Sequence, residues 1–154
     1  MEMPKPTPAH DKLRKLIGRW KGPETMSPSP WDPKGGTAVG TAENKPALDG
    51  FAVIQDYIQL RENNVTFRGH GVFAYDTNEN CYTIHWFDSM GTPGNLYKGN
   101  FEGDVLKLSS KFQTGFSRVS WDLSKEGEHT FKMEMSPDGK MWQPMMVGTY
   151  KKEK

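Results

Sequence analysis

From Trp20 onward, apolar and polar residues alternate with a period of two, and turn-forming residues interrupt the alternation about every ten positions. This is the pattern of many short strands that each bury one face. It predicts strands near 18–27, 37–46, 51–60, 64–75, 81–88, 95–101, 105–112, 116–123, 129–135 and 142–151. Most links are short and carry residues that tolerate turn dihedrals, among them Asp49-Gly50, Glu62-Asn63-Asn64, Thr77-Asn78-Glu79-Asn80 and Ser136-Pro137-Asp138-Gly139. Strands joined this tightly are antiparallel neighbours. Left open, such a meander exposes two unpaired edges, and closure removes them. The fold expected is therefore all-β, an antiparallel up-and-down β-barrel of about ten strands. Before it, Leu13, Leu16 and Ile17 recur at helical spacing and Gly18 supplies a stop, predicting a short N-terminal helix that closes one end. Eight strands already hold a small ligand in some barrels, so ten imply an internal cavity.

Composition narrows the partners. A chain of 154 residues suits one domain, read here as 9–152 behind a flexible tail at 1–8, and its 16 Gly, 11 Pro and 12% aromatic residues favour strands and turns over a bundle. With 20 basic and 19 acidic residues the net charge is +1, which gives no global field to recruit nucleic acid or an anionic membrane. The single cysteine, Cys81, excludes an internal disulfide framework and suits a reducing compartment. Mean hydropathy is -0.77 and no apolar run is long enough to span a bilayer. The N-terminus, MEMPKPTPAH, lacks the apolar centre of a secretory signal, so a cytoplasmic location is expected. A homodimer is left open.

The segment Gly18-x-Trp20-x-Gly22 after a short helix resembles the opening of lipocalin-like (calycin) barrels, in which a first-strand Trp packs over the closed end beneath the helix. LDGFAVIQDY at 48–57, GHGVFAYD at 69–76, YTIHWFDSMG at 82–91, Gly99 with Phe101-x-Gly103, and the ending MSPDGKMWQPMMVGTYKK resemble an uncharacterised bacterial family. It is domain-of-unknown-function family fifteen-seventy-nine. The resemblance spans nearly the whole chain and implies a lipocalin-like barrel; it brings no activity with it. Barrels of this class are mostly carriers, with some isomerases and cyclases among them. The related heme-binding nitrobindins open with G-x-W-x-G-x-G, whereas position 24 here is Glu, so heme is not expected and no cofactor is assigned.

Candidate chemistry concentrates in residues 67–91, two strands joined by a polar turn. If Tyr75 faces Cys81, Arg68 lies opposite Asp88 and His70 opposite Trp86; a shift of one residue sets Gly69 opposite Asp88, Gly71 opposite Trp86 and His70 opposite Phe87. Trp86 and Asp88 share a side in either register. They are expected to face the cavity, with His85 outside, because Tyr82, Ile84 and Trp86 form the bulkier alternating set; Phe87 departs from that split. Arg68 or a neighbouring hydroxyl is the expected donor to Asp88, or else Arg68 and Asp88 form a rim ion pair. His70 can donate and accept protons near neutral pH, and Gly69 and Gly71 leave backbone room beside it. Glu24 alternates with Trp20 and Gly22, unless Pro23 introduces a bulge that turns it outward. A carboxyl group inside an apolar barrel is expected either to keep its proton or to recruit a cation such as Arg118. Which face of strand 51–60, with Gln55 and Tyr57 on one side, looks inward is not decided by pattern.

The expected ligand-binding set is thus Trp20, Glu24, Tyr57, Arg68, His70, Trp86, Asp88 and Arg118. The loops SPSPWDPKGG at 27–36 and SMGTPGN at 89–95 look like barrel-mouth loops, with Trp31 as a cap, a contact surface or a residue packed on the barrel wall. Four histidines without close spacing predict no metal site, and no G-x-S-x-G elbow, phosphate loop or dinucleotide fingerprint is present. The expected function is binding of a small hydrophobic or aromatic molecule. The alternatives are an isomerase, cyclase or lyase using His70 or Glu24 for proton transfer, and an interaction protein with a plugged barrel.

Overall fold

The computed structural model describes residues 1–30 and 32–154, so the expectation for Trp31 lies outside the described residues. The chain forms ten strands: β1 (Gly18–Met26), β2 (Gly36–Ala47), β3 (Ala52–Arg61), β4 (Asn64–Asp76), β5 (Cys81–Asp88), β6 (Asn95–Glu102), β7 (Val105–Phe112), β8 (Gly115–Lys125), β9 (Glu128–Ser136) and β10 (Gln143–Lys152). Each pairs antiparallel with its neighbours in sequence, and β1 also pairs with β10 to close the barrel. No strand end departs by more than two residues from the alternation pattern, because the turn residues that break the pattern also end the ladders.

The N-terminal helix is shorter than expected. A single α-turn, α1 (Pro8–Asp11), passes into a 3-10 turn at Lys12–Leu16, and Ile17 is already extended. The tighter winding eclipses residues three apart, so Leu13 and Leu16, 1% and 0% exposed, point together into the barrel. Their burial stabilises by roughly 1.5–3 kcal/mol each. The turn is tied down by side chains: Trp20 Nε1 and Asn44 Nδ2 each donate to Leu16 O at 2.8 Å, and the Tyr82 hydroxyl donates to Ala9 O at 2.6 Å. His10 is buried; its Nδ1 accepts from the Thr7 N–H at 2.9 Å and its ring meets Phe51 and Tyr75 edge-on. Phe73, Leu106, Leu108 and Trp121 fill this closed end.

Odd-numbered strands run from the closed end to the mouth. The segments at 27–30, 32–35 and 89–94 therefore lie at the mouth, where Arg61 on β3 donates to Asp32 at 2.7 Å. No helix among the described residues is long and apolar enough to cross a membrane.

The β4–β5 hairpin takes the second of the two registers, with Gly69 opposite Asp88, His70 opposite Phe87 and Gly71 opposite Trp86. The register through Pro23 is unbroken, so Glu24 keeps the inward phase of Trp20. On β3, Gln55, Tyr57 and Gln59 face the lumen, while Ile54, Ile58 and Leu60 lie on the outer face.

Candidate functional site: the barrel lumen

The lumen is hollow. A cavity of about 640 Å³ runs from the mouth toward the aromatic plug at the closed end. Its two sides differ in chemistry because β1, β3 and β10 place Glu24, Gln55, Tyr57, Gln59 and Tyr150 on or directly behind one wall, whereas β4, β5, β8 and β9 send mostly apolar groups inward.

On the polar side, Glu24 is 1% exposed and is the centre of a hydrogen-bonded cluster. Tyr57 donates its hydroxyl to Glu24 Oε2 at 2.5 Å, Tyr150 donates its hydroxyl to the same oxygen, and Gln59 Nε2 donates to Oε1 at 3.0 Å. No cation takes part. Arg118, assigned to compensate this carboxylate, lies outside the barrel, where its Nε donates to Glu134 at 2.9 Å and its guanidinium stacks over Trp142 at 4.0 Å. Hydrogen bonds from hydroxyl and amide groups do the compensating instead, as a buried carboxylate requires. Burial, reinforced by the negative charge of Glu24, holds both phenols far above the ordinary tyrosine range, so they stay protonated donors.

Inward glycines make room for this cluster. A Cβ at Gly40 would stand 2.1 Å from Glu24 Oε2, and one at Gly148 would stand 2.2 Å from the Tyr150 hydroxyl oxygen. Beside it sits His129, 4% exposed, with its ring 4.4 Å from Trp20 and 5.2 Å from Tyr150 between centroids. Its Nδ1 has no hydrogen-bond partner among the described residues, and burial alone lowers its pKa to about 4. The imidazole facing the lumen is therefore neutral at physiological pH.

On the opposite side, Trp86 lies flat over Gly69 and Gly71. A Cβ at Gly69 would come within 2.1 Å of the indole and one at Gly71 within 2.9 Å of Ile84. These glycines thus serve the indole, not His70. The indole Nε1 donates to Asp88 Oδ2 at 2.9 Å, and Asp88 Oδ1 accepts the Met90 N–H at 3.0 Å. The donor to Asp88 is the neighbouring indole two residues away, in place of Arg68. Gly69→Val is expected to displace Trp86 and cost about 1–3 kcal/mol through overpacking; thermal unfolding and the tryptophan emission maximum check it, and an unchanged emission would contradict the placement. Val119, Phe112, Phe131 and Met133 continue this wall, and six of the nine methionines line the cavity, four of them being Met90, Met135, Met145 and Met146. Unbranched, polarizable side chains suit an occupant of irregular shape.

Of the residues singled out in the sequence, Tyr57, Trp86 and Asp88 line the lumen and Glu24 stands directly behind its polar wall. Trp20 seals the closed end. Arg68 and His70 are on the outer face, because the observed register turns Gly69 and Gly71 inward; His70 Nδ1 pairs with Asp56 at 2.7 Å in solvent. His70 cannot reach a molecule in the lumen from there. Sequence reading passed over Gln59, His129 and Tyr150. One signal was available: Gly22, Gly40 and Gly148 all fall on inward positions around Glu24, and clustered inward glycines mark a place where neighbouring groups, here the Glu24 carboxylate and the Tyr150 hydroxyl, need the space.

A family model described as "Protein of unknown function (DUF1579)" matches residues 5–152. No curated protein sequence matches the chain. Among solved structures, the chain is similar to Rv2717c from M. tuberculosis, with 13% identity, a TM-score of 0.72, and coverage of 96% of this chain and 99% of that one. It is also similar to the S-type phycobiliprotein lyase CPES from Guillardia theta, with 9% identity, a TM-score of 0.60, and coverage of 97% and 99%. Both likenesses are of fold.

Proposed function

We propose, for a chain that belongs to the DUF1579 family, that the barrel lumen binds a small apolar or aromatic molecule. The observation that carries this reading is the unfilled lumen of about 640 Å³, within the range of small-molecule sites and lined by aromatic and methionine side chains around a few fixed polar groups. A plugged interaction barrel has no such space. That one neighbour of the same fold is named a phycobiliprotein lyase is in keeping with a barrel that handles a small molecule; function itself resides in the site and not in the fold.

The test uses N-phenyl-1-naphthylamine, an uncharged probe whose fluorescence rises in apolar surroundings. Saturable binding with one site per chain is expected, together with energy transfer from tryptophan. Met146→Trp at the mouth is expected to weaken binding about tenfold by occupying the entrance. Fluorescence that rises linearly without saturation, or binding indifferent to Met146→Trp, would remove the proposal.

A further inference from the structure

We infer that the molecule taken up by the lumen carries a cationic, donor-rich head: a protonated amine on an apolar or aromatic body. This rests on the lumen being a binding site, and it adds which chemistry the site selects.

Hydrogen-bond direction is the first ground. Tyr57 and Tyr150 each own a single hydroxyl proton, and both protons go to Glu24. What these phenols turn toward the lumen is therefore oxygen lone pairs only. Gln59 spends its amide N–H groups on Glu24 and on the Tyr57 oxygen, at 3.0 and 3.3 Å. Around Glu24 the polar wall thus offers acceptors to the lumen, which a donor satisfies; the Gln55 amide beside it, 7% exposed, can both donate and accept.

Charge is the second ground. The charged groups on the lumen or directly behind it are Glu24, Asp88, Asp32 and Arg61. Asp32 and Arg61 neutralise each other at the mouth. Glu24 and Asp88 remain as two carboxylates without a cation, and no lysine lines the lumen among the described residues. In a poorly solvated cavity such a field favours a bound cation and repels an anion far more than it would in water. The aromatic rings add to the preference. Tyr57, bonded to Glu24, and Trp86, bonded to Asp88, stand 6.2 Å apart between centroids on the same cavity wall, and electron-rich rings attract a cation in preference to an anion.

The third ground is the unpartnered His129. Its Nδ1 is buried beside Tyr150 with nothing to bond to, on a side chain 4% exposed that lines the cavity. A neutral imidazole there neither repels a cation nor competes with it for Glu24.

Three near-isosteric probes separate the head groups: 2-(2-naphthyl)ethylamine, 2-(2-naphthyl)ethanol and 3-(2-naphthyl)propanoate, titrated calorimetrically into the full chain at neutral pH. The amine is expected to bind about tenfold or more tighter than the alcohol, with the carboxylate weakest; tenfold corresponds to about 1.4 kcal/mol. Glu24→Gln should shrink the amine-to-alcohol ratio to within about threefold. Should that variant fail to fold, Asp88→Asn provides the second reading, and the ranking on the unaltered protein is itself decisive. Alcohol and amine of equal affinity, or a carboxylate that binds best, would overturn the inference while leaving the lumen a binding site. If none of the three binds, the lumen reading falls and this inference with it.

Discussion

Glu24→Ala is expected to lower the free energy of unfolding by about 3–5 kcal/mol, a third or more of what a domain of ordinary stability has to lose. The cost comes less from the lost carboxylate than from what it leaves behind. Glu24 takes the hydroxyl protons of Tyr57 and Tyr150 and an amide proton of Gln59 in a wall from which bulk water is largely excluded. A buried donor stripped of its partner costs about 1–3 kcal/mol, and two hydroxyls are stripped at once. Water entering the cavity recovers part of this, which keeps the expected cost short of the upper end of the plain sum, about 6 kcal/mol. Tyr150→Phe removes one donor without orphaning the acceptor, because Tyr57 still supplies Oε2, and is expected to cost about 1–1.5 kcal/mol. Urea denaturation of the three proteins reads the series. A Glu24→Ala variant within about 1 kcal/mol of the parent would mean that the cluster is already open to water, and the ordered polar wall would have to be abandoned.

The strands were legible because a barrel wall imposes a period of two wherever one face is buried, and the turn residues between them do not depend on tertiary context. β3 shows where that logic stops. Beyond Val53, which sits in the apolar core, its inward residues are Gln55, Tyr57 and Gln59 and its outward ones Ile54, Ile58 and Leu60, because a lumen that holds polar groups inverts the usual core pattern. The hairpin register was undecidable for a related reason: glycines at 69 and 71 carry no side chain by which to tell inside from outside. Once Trp86 is seen lying on them, the phase of Arg68 and His70 follows, and both leave the lumen. Glu24 was legible from its alternation with Trp20, but its partners were not. Tyr57, Gln59 and Tyr150 reach it from two other strands, and contacts across 33, 35 and 126 residues leave no local trace in the chain.

His129 gives the barrel an acid-sensitive stability whose sign and window follow from its burial. In the unfolded chain a histidine titrates near ~6.5. In the native barrel burial lowers that to about 4, and the side chain packs on Trp20 and Tyr150 without hydrogen-bonding to any carboxylate that would favour the charged form. Above pH ~6.5 both states hold a neutral imidazole, and the full contribution is present. Between there and pH 4 the unfolded chain binds a proton that the native barrel refuses, so stability falls as the pH falls. Below pH 4 both states are protonated and this loss stops growing. At about 1.4 kcal/mol per unit, the loss across the window is on the order of 3 kcal/mol. His129→Phe keeps an aromatic ring between Trp20 and Tyr150 and removes the titration. Its unfolding free energy, measured beside the parent from pH 7.5 to 4, should match the parent within about 1 kcal/mol at the upper end and exceed it by about 3 kcal/mol at the lower. Carboxylates titrating in the same range affect both proteins alike and drop out of the difference. Parallel profiles for the two would show that water or a proton acceptor reaches the imidazole in the native barrel, and His129 would then lose its place as the neutral, unpartnered group of the polar wall.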